Sequence, residues 1–155
     1  MSCPVRYKQA RVVFQEVPNE VTLAIEVTGC PNHCPGCHSP ELLDPEGVEL
    51  DYLEMETLLR RHYPFITCVC FMGGDHEPDA LCDLLWYVSA HGLRTALYSG
   101  REGVPYRIVD RLNYLKVGSY VEALGGLRSS TTNQRFYKIE NGDLIDKTAW
   151  FRTGR

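Results

Sequence analysis

The sequence lacks any long apolar run and any block of like charge. No stretch approaches the roughly 20 apolar residues of a membrane-spanning helix, and the segment MSCPVRYKQARVVF has no basic-then-apolar signal pattern. We therefore expect a cytoplasmic protein without a membrane partner. The net charge is −4 and Lys and Arg form no cluster, so the sequence also argues against a nucleic-acid partner, which basic groups would have to bind through phosphates.

Internal repeats, low-complexity segments and linkers are absent as well. The 155 residues suffice for one core, because a chain of this size buries about 68–70% of the surface that its unfolded form exposes. We therefore expect residues 1–155 to form a single domain. The cysteine count is seven, an odd number, and clustered cysteines in a reducing compartment more often bind metal or do chemistry than form disulfides.

Apolar periodicity predicts strands and helices in alternation. Two strands around a Pro-Asn-Glu turn are predicted in RVVFQEVPNEVTLAIEV, and later strands in ITCVCFMGG, LRTALYSG and YLKVGSYVE. Helices are predicted in LEMETLLRRHY after the N-cap candidate Asp51, in PDALCDLLWYVSAHG from Pro78, and in PYRIVDRLN. A terminal hairpin is predicted around Asn141-Gly142 in QRFYKIENGDLIDKTAWF. The alternation indicates an α/β fold with a parallel sheet.

Three unusual loops follow successive strands of this predicted sheet. They are a cysteine-rich segment after the second strand, Gly73-Gly74-Asp75 after the next, and Ser99-Gly100 after the one that follows. Ligands of α/β sheets bind beyond the carboxyl ends of the strands. We therefore expect the three loops to share one edge of the sheet and to form one site.

The cysteine-rich segment VTGCPNHCPGCHSPE holds Cys30, Cys34 and Cys37, with spacing Cys-x3-Cys-x2-Cys. Pro31, Pro35 and Gly36, which lie between the cysteines, oppose a helix, so the segment is predicted to be a loop that wraps one point. Structural zinc is one alternative, but it requires a fourth ligand, and His38 directly follows a cysteine. A redox-active dithiol of Cys34 and Cys37 is another, and it leaves Cys30 unexplained. Three thiolates around one point favour a metal cluster.

A [4Fe–4S] cluster normally takes four cysteines, so three leave one iron open to another ligand. In this loop the sequence resembles the radical S-adenosylmethionine (SAM) superfamily, in which the open iron chelates the amino and carboxylate groups of SAM. Many members carry an aromatic residue before the third cysteine, where this chain has Gly36. A glycine at this position resembles the sequences of the activating proteins of anaerobic ribonucleoside-triphosphate reductase. Four further blocks also resemble that family: FMGGDHEP, YSGRE, YLKVGSYVEALGGL and SSTTNQRFYKI.

The resemblance implies a shortened partial (βα) barrel of the radical SAM type, with the hairpin at its C-terminal end. It implies a [4Fe–4S] cluster on Cys30, Cys34 and Cys37, and SAM as the second cofactor. A flavodoxin-like donor would supply one electron, cleavage of SAM would give a 5′-deoxyadenosyl radical, and this radical would abstract hydrogen from a glycine of the large subunit of anaerobic ribonucleoside-triphosphate reductase. No side chain would need to act as an acid or a base.

The resemblance also assigns residues to the SAM site. Gly73, Gly74 and Asp75 occupy the place of the Gly-Gly-Glu motif of the superfamily, where backbone carbonyls and a carboxylate bind the ammonium group of SAM. Ser99, at a strand end, is a candidate for binding its ribose or carboxylate. No role follows from the sequence for five further residues near strand ends: Lys116, Ser119, Asn133, Gln134 and Arg135.

One segment departs from the family pattern. Many of these activating proteins carry Asp-Gly-Pro-Gly before the first strand, and this chain has Glu-Val-Pro-Asn-Glu at residues 16–20. The departure indicates a divergent branch. A radical SAM enzyme acting on another glycyl radical enzyme or on a small molecule, and a non-catalytic zinc or iron–sulfur module, are the alternative functions.

Overall fold

The computed structural model of the chain describes residues 5–28 and 47–152. Within them, eight strands form a single mixed sheet accompanied by three α-helices and a short 3₁₀ helix. The strands are β1 (Arg6–Val13), β2 (Thr22–Val27), β3 (Val48–Glu49), β4 (Cys68–Met72), β5 (Arg94–Tyr98), β6 (Tyr114–Val117), β7 (Arg135–Glu140) and β8 (Asp143–Asp146). The helices are α1 (Tyr52–His62), α2 (Pro78–Ala90) and α3 (Tyr106–Val109), and the 3₁₀ helix is Thr148–Arg152.

The strand order is β3-β1-β2-β4-β5-β6-β7-β8. The central strands β2, β4, β5 and β6 are parallel, as the alternation of patterns predicts. Antiparallel strands flank them on both sides, with β1 and β3 beside β2, and with β7 and β8 beside β6. The fold is therefore mixed α/β. The partial barrel expected from the family stays a prediction, because the described strands order as one sheet from β3 to β8.

Local sequence signals account for several element ends. The Asp51 carboxylate accepts a hydrogen bond from the backbone N–H of Glu54 at 2.8 Å and so caps α1. Helix α2 begins at Pro78, whose fixed φ suits the first turn. Asn141 and Gly142 have φ values of 52° and 83° in the two-residue turn between β7 and β8, which is the conformation that Asn-Gly favours in hairpins. These three predictions are confirmed.

Other boundaries differ from those predicted. Strand β6 ends at Val117, before the end of the predicted segment, because Gly118 has a φ of 101° and leaves the extended conformation. Helix α3 has only four residues, and β3 was not predicted at all. The segment TAWF belongs to the 3₁₀ helix and not to a hairpin strand.

Both faces of the central strands are buried, which explains why β2 has no exposed residue. The face toward the helices carries a large apolar cluster that includes Leu23, Ile25, Phe71 and Leu97. The opposite face carries a smaller cluster that contains, among others, Val17, Cys68, Cys70, Ala96, Tyr114, Phe136 and Phe151. We call this second side the inner face. In the described part of the chain, no helix has the length and apolar character needed to cross a membrane.

Candidate active site

The carboxyl ends of the parallel strands bring the predicted loops together. Met72, Tyr98 and Lys116 are paired across β4, β5 and β6, so the residues that follow them share one edge of the sheet. We call this the carboxyl edge. Gly73 and Ser99 lie there, and the backbone N–H of Gly73 donates to the Tyr98 carbonyl at 2.9 Å. The sequence therefore predicted correctly that these two loops would be neighbours.

The three cysteines predicted to hold a cluster, Cys30, Cys34 and Cys37, lie outside the described residues. The residues that flank their segment are described, and both lie at the end of β2. A Cβ atom placed on Gly47 would be 3.2 Å from the Thr28 hydroxyl. The two described residues that flank the cysteine segment, Thr28 and Gly47, therefore lie at the carboxyl edge. Within residues 5–28 and 47–152, no group of three or more His, Cys, Asp or Glu side chains could hold a metal.

Cys68 and Cys70, which lie on β4 and face the inner side of the sheet, are packing residues, as the sequence predicts. Cys68 and Cys70 have no exposed surface. Burial, followed by the charge of Glu20, raises the pKa of Cys68 to about 12. Burial also raises the pKa of Cys70 well above its usual value. Both thiols therefore stay protonated at neutral pH, and neither is suited to bind metal or to attack a substrate.

Positions 73 and 74 require glycine because of their backbone conformation, and not because a side chain there would clash with a neighbour. Their φ values are 95° and 106°, a region that residues with a side chain rarely adopt. A Cβ atom on either residue would lie 3.6 Å or more from Val27 and Leu81, which is ordinary contact. The conformation turns the chain sharply at the end of β4, and Asp75 follows immediately.

The Asp75 carboxylate is held by the next loop. The Ser99 hydroxyl donates to Asp75 Oδ2 at 2.8 Å, and the Arg101 Nε lies 3.5 Å from the same oxygen. The backbone N–H of Arg101 donates to the Ser99 hydroxyl at 3.0 Å. Ser99 has no exposed surface, so in this arrangement its hydroxyl orients Asp75. Sequence reasoning missed Arg101, although its position two residues after Ser99 in YSGRE was a usable signal.

Lys116 ties the loops after β5 and β6 together. Its ammonium group donates to the carbonyl oxygens of Ser99 at 3.3 Å and of Gly118 at 2.8 Å. The ammonium also lies 5.8 Å from the centre of the Tyr98 ring, within the range of a cation–π contact. The side chain thus fixes two loops of the carboxyl edge and contributes a buried positive charge to the inner face.

A cavity of about 570 Å³ opens on the inner face beside this edge. Such a volume lies within the range of about 300–1,000 Å³ that is typical of small-molecule sites. Its walls combine apolar, aromatic and charged groups: Gln15, Glu16, Met72, Tyr98, Lys116, Tyr120, Gly126, Leu127, Arg128, Gln134 and Phe151. Met72, Tyr98 and Lys116 supply the floor because they are paired at the ends of three strands.

The Tyr98 hydroxyl donates to the Glu16 carbonyl and fastens the segment before β2 to the cavity floor. Burial raises the pKa of Tyr98 well above its usual value, so the hydroxyl remains a donor at neutral pH. Arg128 and Tyr98 were missed as wall residues. Their meeting depends on strand order and loop path, for which the sequence carries no local signal.

Of the five residues left without a role by the sequence, Lys116 and Gln134 line this cavity. The Asn133 amide donates to the Ser119 carbonyl at 3.0 Å, and the Gln134 amide lies 3.4 Å from the Gly118 carbonyl. Both bonds close the loop between β6 and β7. Arg135 instead pairs with Asp146 at 3.6 Å, and both side chains are exposed. Asn133 and Gln134 are therefore part of the site region and Arg135 belongs to the hairpin.

Comparisons of this chain with protein-family models, with curated proteins and with solved structures each gave no match.

Proposed function

We propose that this chain is a radical SAM activating enzyme that generates a glycyl radical on anaerobic ribonucleoside-triphosphate reductase. One observation carries the proposal. The loop of Gly73, Gly74 and Asp75 meets the Ser99 loop at the carboxyl edge, and the flanks of the three-cysteine segment, Thr28 and Gly47, lie at the same edge. The described geometry thus supports a site at which a cluster and its ligand could be adjacent.

The described residues fit SAM in charge and in space. A buried carboxylate is the partner that an ammonium group requires, and Asp75 is only 6% exposed. The neighbouring cavity of about 570 Å³ can hold a ligand of drug-like size. Its aromatic wall residue Tyr98 suits a flat ring, and the Lys116 ammonium suits an anionic group. Ser99 and Arg101 act by holding Asp75 in place.

The donor set of the cysteine segment fits an iron–sulfur cluster, because thiolates are the ligands that such clusters prefer. When bound, the cluster supplies the single electron that cleaves SAM reductively. The chain itself contributes positioning and exclusion of water. A large protein partner suits this division, since it could cover the carboxyl edge while its glycine is activated. The reductant would be a flavodoxin-like protein.

The proposal is tested by SAM cleavage with dithionite in anaerobically reconstituted protein. We expect wild-type protein to release methionine and 5′-deoxyadenosine, and Cys34→Ala to release neither. Cys82→Ala is the matched control, because this thiol lies on α2 and bonds the Arg107 carbonyl at 3.8 Å, away from the carboxyl edge. Cleavage retained by Cys34→Ala would mean that the ligand assignment is wrong.

A second candidate, activation of a different glycyl radical enzyme, is favoured by the segment that departs from the family pattern. Residues 16–20 replace Asp-Gly-Pro-Gly, and Glu16 lines the cavity. A cavity wall that differs from the family pattern at Glu16 would suit a different glycyl radical enzyme as the protein partner. Electron paramagnetic resonance of the activated mixture separates the candidates, because a glycyl radical should form only with the correct reductase or other glycyl radical enzyme.

A further inference from the structure

The loop between β6 and β7, residues 119–133, is a compact unit, and we call it the cavity loop. It contains no helix or strand, yet it is held by its own side chains. The hydroxyls of Ser129 and Thr131 both donate to the Leu124 carbonyl at 2.8 Å, and the Thr132 hydroxyl donates to the Gly125 carbonyl at 3.1 Å. A loop with this internal bonding keeps its shape when it moves.

The two ends of the cavity loop are fastened to each other. Asn133 bonds the Ser119 carbonyl at 3.0 Å, and Gln134 bonds the Gly118 carbonyl at 3.4 Å. A closed base and an internally packed body are the properties of an Ω-loop. The Asn133 Oδ1 atom is buried and has no hydrogen-bond partner. Because water would satisfy this acceptor, opening near the base costs less than it would at a fully bonded base.

The cavity loop forms part of the cavity wall. Four of its residues line the wall, and they are Tyr120, Gly126, Leu127 and Arg128. The Arg128 guanidinium donates to Gln15 Oε1 at 2.9 Å, and this bond is exposed to solvent. It joins the tip to the segment before β2, which forms the opposite rim.

The far side of this bond is anchored. Glu16, next to Gln15, has its carbonyl held by the buried Tyr98 hydroxyl, and Val17 is completely buried in the inner-face cluster. The Arg128 bond therefore connects a unit fastened at its base to a rim fastened at the cavity floor. Leu127 of the cavity loop also packs against the inner-face cluster, so the Arg128 bond is the solvent-exposed part of the contact between the two parts, and an exposed hydrogen bond is weak enough to open at equilibrium.

We propose that the cavity loop is a lid and that Arg128 is its latch, a positioning residue that holds the lid over the cavity through Gln15. Release of the latch admits ligand, and its closure retains ligand and excludes water from the inner face. The proposal rests on the proposed function only in taking SAM as the ligand. The latch itself follows from the contacts of Arg128, Gln15 and the loop base.

Hydrogen exchange of the ligand-free full chain tests the latch directly. We expect Arg128→Ala and Gln15→Ala each to raise exchange of the amides of residues 120–131 by about three- to tenfold, the value of one net hydrogen bond. The double variant should exceed neither single variant by much, because both remove the same bond. Arg135→Ala is the matched control, since its exposed partner Asp146 lies on the hairpin, and it should exchange like wild type.

Unchanged exchange in both latch variants, or an equal rise in Arg135→Ala, would overturn the latch. A second measurement follows SAM dissociation from the reconstituted protein, which we expect to be about three- to tenfold faster in both latch variants, by the same hydrogen-bond reasoning. Failure of wild type to bind SAM, with the exchange results as expected, would refute the proposed ligand and leave the latch. Normal SAM binding with unchanged exchange would refute the latch and leave the proposed function.

Discussion

A buried carboxylate lies at each edge of the parallel strands, Glu20 at the amino edge and Asp75 at the carboxyl edge, and the two bind different parts of the fold. At the amino edge, the Glu20 carboxylate accepts from the Thr67 hydroxyl at 2.6 Å and from the Tyr114 hydroxyl at 2.5 Å, and Arg94 Nε lies 3.5 Å away. Those partners lie at or just before the first residues of β4, β5 and β6. Glu20 therefore joins the starts of three strands.

At the carboxyl edge, Asp75 is also bonded to a hydroxyl and approached by an arginine, but its partners Ser99 and Arg101 belong to one loop beyond a strand end. Tyr98, directly before this loop, lines the cavity, and the flanks of the cysteine segment lie at the same edge. A carboxylate bonded to hydroxyls and close to an arginine thus joins strands at the amino edge and holds a loop of the candidate site at the carboxyl edge. In α/β barrels the carboxyl face likewise carries function and the amino face stability.

The largest effect should come from Glu20→Ala, which breaks the amino edge. Its removal leaves the buried Tyr114 hydroxyl without its acceptor and Arg94 without its carboxylate, while Thr67 keeps the Val21 carbonyl at 3.3 Å, so we expect the free energy of unfolding to fall by about 3 kcal/mol. Urea unfolding measures this. Glu140→Ala removes an exposed pair with Lys138 at 2.9 Å, and it should cost less than about 1 kcal/mol. Equal losses in both variants would remove the structural role assigned to Glu20.

Asp75→Asn should separate function from stability at the carboxyl edge. The amide oxygen can still accept from Ser99 but carries no charge, so we expect SAM to bind about ten- to a hundredfold more weakly, the worth of one charged hydrogen bond. Calorimetry on reconstituted protein measures the change. Asp79→Asn, which alters an exposed pair with Arg107, is the control. Unchanged affinity in Asp75→Asn would show that this carboxylate does not contact the ligand.

Gly74→Ala should destabilise the turn after β4 through the backbone alone. A residue with a Cβ atom is strained at a φ of 106°, and we expect a loss of about 1–2 kcal/mol in the free energy of unfolding. Gly103→Ala is a matched control, because Gly103 has no positive φ and no atom within 4 Å of an added Cβ. If both substitutions behaved alike, the conformation would not be the reason for a glycine at position 74.

The smallest effect should be a change in alkaline stability at the amino edge. Burial, and then the hydrogen bond to Glu20, raises the pKa of Tyr114 above its usual value, which is about 10. Neutral Tyr114 therefore stabilises the fold below about pH 10, and this contribution is lost as the pH rises further. We expect Tyr114→Phe to be less stable by about 1 kcal/mol at neutral pH but to lose less stability above pH 10 than wild type.

Urea unfolding at two pH values measures that difference. Tyr106→Phe alters a ring that is 70% exposed, and it should keep the slope of wild type. Identical slopes in wild type and Tyr114→Phe would contradict the role given to this hydroxyl.

The sequence predicted the elements better than it predicted their contacts. Asp51, Pro78 and Asn141-Gly142 act locally, so their capping and turn roles could be inferred from neighbours in the chain. The shared edge of Gly73 and Ser99 followed from parallel strand order, a general property of α/β folds. Arg128 could not be found in this way, because its partner Gln15 is 113 positions away and meets it only across the cavity.

The same limit applies to Ser99, for which the sequence predicts a direct contact with the ligand. Its burial and its bond to Asp75 depend on the distance between two loops, and that distance is set by strand pairing. The loop after β6 is a further example, since the positive φ of Gly118 ends the strand early and the cavity loop follows it. Residues whose roles depend on tertiary distance are those that the sequence left unassigned, and the contact of Ser99 with a ligand stays a prediction.

We propose that the carboxyl edge adjoins an iron–sulfur cluster held by Cys30, Cys34 and Cys37. Metal and sulfide analysis after anaerobic reconstitution tests it most directly. We expect about four irons and four sulfides per wild-type chain, with the content retained in Cys82→Ala and lost in Cys34→Ala. One zinc per chain without sulfide, or a full iron content in Cys34→Ala, would contradict it.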